Sequence, residues 1–218
     1  MPQLQPPRAV IFDWDNTLID SWVTIHAALD ETFRAMGHVP WTLEETKQRV
    51  RYSMRDSFPK LFGDKWEQAA EVFYDAFARL HLERLAPLPG ADDMLGALHG
   101  RTECLSIVSN KRGSYLRTEV THLGWQEYFH RVVGAGDAPR DKPAADPVLH
   151  ALDGSDVAAG PDVWFVGDAG IDMEIAHLTG CVPVLLHDGT GSAEDFGDFQ
   201  PKVRFRSCME LASFVDAL

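Results

Sequence analysis

Asp13 and Asp15 stand one residue apart in VIFDWDNTLIDS, residues 10 to 21, directly after an apolar run. In an extended segment residues two apart face the same side, so both carboxylates project together where the run ends. Two like charges that close are costly unless a cation binds or one carboxyl keeps its proton, and either state is useful to catalysis. A calcium loop of the EF-hand kind does not account for the pair, because its late glutamate would fall at Thr24.

Other polar residues follow in chain order. Ser109 and Asn110, after SIV, offer a hydroxyl and an amide to an anion. Lys142 in DKPAADP offers a positive charge, and Asp168 and Asp172 in GDAGID add a second carboxylate pair after VWFVG. Taken singly, these read as turn, cap or solvated residues. Their order of carboxylate pair, hydroxyl, lysine and carboxylate pair, nearly all at the ends of apolar runs, lets them converge on one site.

The strands and helices around these residues are legible in the sequence. AVIF (9 to 12), CLSIVS (104 to 109), RVVGA (131 to 135), DVWFVG (162 to 167) and CVPVLL (181 to 186) are short apolar runs suited to strands covered on both faces. Helix-like segments separate most of them, which predicts an α/β fold with a doubly wound parallel sheet. Ligands bind such sheets at the C-terminal ends of the strands. VRF (203 to 205) is expected as a last strand and SCMELASFVDAL as a closing helix. DGTGSAEDFGDFQP (188 to 201) reads as a surface loop, whose glycines 189 and 191 lack the spacing of a phosphate cradle.

Residues 21 to 86 differ in character. Trp22, Ile25, Leu29, Phe33 and Met36 follow helical spacing, with Gly37 as a stop. Thr42 with Glu45, and Asp64 with Glu67, predict capping boxes that open two more helices. Trp66, Ala70, Phe73, Phe77 and Leu80 form a packing stripe in the longer one. An all-helical domain over 21 to 86 therefore interrupts a core of 1 to 20 and 87 to 218. APLPG (86 to 90) is the return linker, and hinges are expected near Asp20 to Trp22 and in Ala86 to Gly90.

Composition narrows the function classes. The formal charge is −13 and the basic residues are scattered, which argues against a nucleic-acid surface. An anionic substrate meets an unfavourable overall field, so a phosphate site needs its own cations. No apolar run approaches the roughly 18 residues of a membrane span, and MPQLQPPRAV lacks a signal pattern. A cytoplasmic monomer or homodimer is expected, with neither nucleic acid nor membrane as partner. Cys104, Cys181 and Cys208 are far apart and without CxxC spacing, which predicts reduced thiols.

DWDNT, SIVSN, the lysine of DKP and GDAGID resemble, in this order, the four motifs of the haloacid dehalogenase superfamily, and the likeness covers nearly the whole chain. It implies a Rossmann-like core with a helical cap of the C1 type after the first motif. Asp13 is then the nucleophile that forms an aspartyl-phosphate, and Asp15 the acid that protonates the leaving alcohol and the base that activates water. Ser109 and Lys142 hold the phosphoryl oxygens, and Lys142 keeps Asp13 ionised. The implied cofactor is Mg2+, bound by Asp13, the backbone carbonyl of Asp15 and Asp168, with Asp172 orienting a coordinated water. Thr17 braces the loop after the nucleophile, and with Ser109 and Asn110 it is counted on the substrate side. The implied partner is a small phosphorylated metabolite, as in phosphoglycolate phosphatase-like members.

The dehalogenases that the chain resembles lack an acid at the position of Asp15, so a phosphatase is favoured over halide displacement. A mutase like β-phosphoglucomutase shares all of these residues and stands as an alternative. So does a non-catalytic binding protein on the same scaffold, although intact Asp13, Asp15, Lys142 and Asp168 count against it. Substrate choice is expected in the cap, where VRYSMRDSF (50 to 58) stands in the position of a specificity loop. Arg51 departs from the glycine often found there. Arg51 or Arg55 is expected to meet an anionic or polar group on the leaving moiety. Trp14 is expected to pack under the cap junction.

Overall fold

The computed structural model describes residues 4–50, 52–187 and 196–218. The chain divides into two compact units, one of Met1–Ile19 with Pro87–Leu218 and the other of Asp20–Ala86. Glycines 189 and 191 and Arg51 lie outside the described residues. Among the described residues no helix is long and apolar enough to cross a membrane.

In the larger unit, strands β1 (Ala9–Phe12), β2 (Cys104–Arg112), β3 (Arg131–Ala135), β4 (Val163–Gly167), β5 (Val182–Leu186) and β6 (Val203–Phe205) form a parallel sheet in the order β3-β2-β1-β4-β5-β6. This is a Rossmann-like order, in which the winding direction reverses between β1 and β4 and leaves a crevice at their C-terminal ends. Every residue of β1 is fully buried, because Ala9 and Ile11 face one side of the sheet and Val10 and Phe12 the other. That double burial is why the run shows no polar alternation. Each large side chain in it contributes about 1.5–3 kcal/mol by leaving water.

Ala9, Ile11, Val108, Val133 and Phe165 pack with α7 (Asp146–Leu152) and α8 (Gly170–Thr179) through Val148, Ala151, Ile175 and Ala176. On the opposite face Trp164 meets Phe214 of α9 (Cys208–Asp216), with ring centroids 6.3 Å apart. Helices α5 (Ala91–His99) and α6 (Gly113–His122) complete this unit. Strand β2 runs three residues beyond the predicted CLSIVS, and its pairing with β3 shifts register between Val108 and Arg112. Such a break re-aims side chains, and here it falls across Ser109, Asn110 and Lys111.

The smaller unit holds α1 (Trp22–Ala35), α2 (Leu43–Arg49), α3 (Met54–Phe62) and α4 (Trp66–Leu80). Gly37 takes the left-handed φ of 74° that a helix stop demands. Thr42 and Glu45 form both bonds of the capping box: Glu45 N–H donates to Thr42 Oγ1 at 3.2 Å, and Thr42 N–H donates to Glu45 Oε2 at 2.9 Å. Asp64 does not cap α4, because Gly63–Lys65 winds as a 3-10 turn and Lys65 precedes the helix. Most of the segment read as a loop over 50 to 58 is instead the start of α3, with Ser53 at its N-cap. Rings of Phe33, Phe62, Phe58 and Phe73 contact one another in series at 5.0–5.8 Å and give this unit its own core.

Candidate active site

Asp13 is the first residue after β1, and its N–H donates to the Val166 carbonyl at 2.9 Å, which sets it beside Gly167 and Asp168 at the end of β4. The chain then turns sharply. Asn16 adopts a left-handed φ of 62°, a conformation asparagine tolerates, and its N–H donates to Ile19 O at 2.6 Å. Leu18 and Ile19 donate back to the carbonyl of Trp14 at 2.9 and 3.2 Å. Thr17 is fully buried, and its hydroxyl donates to Asp168 Oδ1 at 3.3 Å, so it braces a carboxylate of the site.

Lys142 lies in the turn between β3 and α7. The helix α7 begins at Asp146, with Pro147 in its first turn. The side chain of Lys142 is buried, and its Nζ donates to Asp13 Oδ1 at 2.6 Å and to Asp172 Oδ1 at 2.7 Å. Asp172 stands in the first turn of α8, where its Oδ2 accepts the Ala169 N–H at 3.1 Å, as a helix N-terminus favours. Its side chain passes over Gly167, where a Cβ would collide with the Asp172 carboxylate.

Asn110, expected at an anion, uses both ends of its amide on the backbone of Lys142. Its Nδ2 donates to Lys142 O at 3.3 Å, and its Oδ1 accepts the Lys142 N–H at 3.0 Å. Ser109 is buried within the register break of β2, and its hydroxyl accepts the Lys111 N–H at 3.1 Å. Arg55 is an exposed residue in the first turn of α3.

The Asp13 carboxyl is raised to about 7: burial is the largest cause, Lys142 opposes it, and Asp172 and Asp15 add to the rise. Asp168 is raised too, first by burial and then by Asp172 and Asp13. Burial alone would lower the Lys142 ammonium, but Asp13 and Asp172 outweigh it and hold it above its ordinary value. Carboxylate oxygens of Asp13, Asp168 and Asp172 lie within 4.8 Å of one another. Lys142 pairs with two of these three carboxylates, and a divalent cation is the charge that would balance the cluster. An all-oxygen donor set suits a hard cation such as Mg2+, so these residues fit the ion.

A second buried lysine was not legible as part of the site. Lys111 Nζ lies 2.7 Å from Asp15 Oδ1 and 2.6 Å from Glu119 Oε2. The same Glu119 oxygen accepts the indole N–H of Trp14 at 2.7 Å. Trp14 is fully buried in the core unit, edge-on to Trp125 at 5.8 Å, which gives it a packing partner that the sequence left unidentified. One signal was available: Glu119 falls in line with Leu116 and Val120, at a position where α6 calls for an apolar side chain.

Residues 10–185 match the family model described as haloacid dehalogenase-like hydrolase. The chain is similar to a phosphoglycolate phosphatase of Pseudomonas fluorescens strain Pf0-1, at 27% identity over 207 residues, covering 90% of this chain and 75% of that protein. A phosphoglycolate phosphatase of Salmonella typhimurium is 28% identical over 238 residues, with 97% and 93% covered. The solved structure of a haloacid dehalogenase-like family hydrolase from Streptococcus pneumoniae superposes with a TM-score of 0.83 at 23% identity, over 95% of this chain and 98% of that one, a likeness of fold.

Proposed function

Because this chain belongs to the haloacid dehalogenase-like hydrolase family and is a phosphatase within it, we propose that it hydrolyses a small phosphorylated metabolite through an aspartyl-phosphate on Asp13. The observation that carries the mechanism is the Lys142 ammonium, 2.6 Å from Asp13 Oδ1, beside the carboxylate cluster at the switch between β1 and β4. A nucleophile that must stay ionised while buried needs a fixed cation at that distance.

In the first step a carboxylate oxygen of Asp13 attacks phosphorus. The ester P–O bond breaks with its electron pair going to the leaving oxygen, which takes a proton from Asp15. In the second step Asp15 accepts a proton from water as the water oxygen attacks phosphorus. The P–O bond to Asp13 breaks, which restores the carboxylate and releases phosphate. Ser109 and Lys142 donate to the phosphoryl oxygens, and Asn110 and Asp172 keep Lys142 in place. Mg2+, held by Asp13, Asp168, Asp172 and the backbone carbonyl of Asp15, would neutralise charge on the transferring group. Positioning and charge dominate phosphoryl transfer, so these local cations offset the −13 of the whole chain.

Phosphoglycolate, named in the relatives, is the first substrate to assay, beside other small phosphorylated acids and sugars. Hydrolysis of p-nitrophenyl phosphate with Mg2+ by the wild type, absent in Asp13→Asn, is the expected result. Full activity in Asp13→Asn would defeat the mechanism.

A further inference from the structure

We propose that Lys111 and Glu119 are positioning residues for Asp15, and that Trp14 holds Glu119 in the place this requires. The inference rests on the reaction proposed at Asp13 and Asp15 and assigns those two aspartates separate lysines. Lys142 joins Asp13 to Asp172, while Lys111 joins Asp15 to Glu119. The Lys111 side chain is 6% exposed and that of Glu119 1%, against 19% for Asp15. The relay thus runs from a buried anchor to a carboxylate with a face open for chemistry.

Stability alone gives little reason for this network. Burying an ion pair is often neutral or unfavourable compared with apolar side chains of the same volume, and α6 positions Glu119 in line with Leu116 and Val120. The network does supply direction. The Lys111 backbone N–H is fixed on Ser109 Oγ at 3.1 Å within the register break of β2, so the root of the side chain is set where its tip must reach Asp15. Its ammonium meets Glu119 Oε2 at 2.6 Å, and the Trp14 indole donates to that same oxygen at 2.7 Å. Trp14 lies between the two aspartates in the chain, so the loop that carries Asp15 also pins the partner of its partner. A carboxylate held this way stands in one place for proton transfer in both steps, and a misplacement of about 1 Å costs on the order of 100-fold in rate.

The test compares kcat/KM for an alkyl phosphate and for p-nitrophenyl phosphate, because kcat/KM reads the steps up to formation of the phosphoenzyme. An alkoxide leaves only with a proton from Asp15, whereas p-nitrophenolate leaves without one. The variants are Glu119→Gln, which keeps an acceptor for Trp14, and Lys111→Met/Glu119→Gln, which removes both buried charges together so that neither is stranded. The expected result is a loss roughly 10- to 100-fold greater on the alkyl ester than on the aryl ester, approaching the ratio seen in Asp15→Asn. Equal losses on both esters in either folded variant would overturn the inference, since a merely structural role lowers both alike. Failure of the underlying mechanism looks different: wild type turns over neither ester, or Asp13→Asn turns over the aryl one, and either result overturns both.

Discussion

The Lys142 ammonium lies 2.6 Å from Oδ1 of Asp13, although the two residues are 129 positions apart in the chain. Both are buried, and Asp172 shares the same ammonium at 2.7 Å. Removing the lysine strands two carboxylates away from water, and breaking a buried pair costs about 3–5 kcal/mol. Lys142→Met is expected to melt well below wild type in EDTA, as followed by circular dichroism, and to lose turnover. Unchanged melting would contradict the pairing.

The carboxyl of Asp13 makes stability depend on pH. Its folded value is raised to about 7 by burial, with Asp172 and Asp15 adding to the rise and Lys142 opposing it, and Asp168 is raised as well. An unfolded aspartate titrates near about 4. Between those values the folded state binds more protons, so the metal-free protein loses stability as pH rises through that window. Mg2+ should therefore raise the melting temperature more at pH 8 than at pH 5. An equal rise at both would count against the cluster as the metal site.

Asn110 and Ser109 separate by their kinetics. Asn110 clamps the Lys142 backbone, so Asn110→Ala is expected to lower kcat about 30-fold, for two hydrogen bonds near 1 kcal/mol each, with little change in KM. Ser109→Ala, on the proposed phosphate contact, is expected to raise KM. A raised KM in Asn110→Ala would return the amide to the substrate.

Gly167 has no side chain because the Asp172 carboxylate occupies that space. Gly167→Ala must displace Asp172 and with it one partner of Lys142. A loss of about 1–3 kcal/mol in denaturant unfolding is expected from such overpacking, together with weaker Mg2+ binding by calorimetry. Wild-type Mg2+ affinity in the variant would show that Asp172 does not need its present position.

The sequence exposed much of this architecture because its signals are local. A buried strand such as AVIF must be apolar throughout, and Asp13 and Asp168 interrupt two such runs where the sheet ends. The helix α3 was hidden by Pro59 within it and by polar residues around Met54. Asp64 was displaced from its cap role by a 3-10 turn that sequence spacing does not distinguish from a helix start. Asn110 was legible as a polar strand-end residue but not as a clamp, since its partner lies 32 positions away. Lys111 beside Arg112 reads as solvated charge until the fold brings it against Asp15 and Glu119.

If phosphoryl transfer passes through Asp13, the phosphoenzyme can be trapped there. Asp15→Asn, which lacks the base for the second step, is mixed with p-nitrophenyl phosphate and Mg2+, quenched in acid and digested for mass spectrometry. A burst of p-nitrophenolate stoichiometric with protein and a phosphoryl group on the side chain of Asp13 are expected. A phosphoryl group on any other residue, or p-nitrophenolate release with no phosphoenzyme formed, would contradict it.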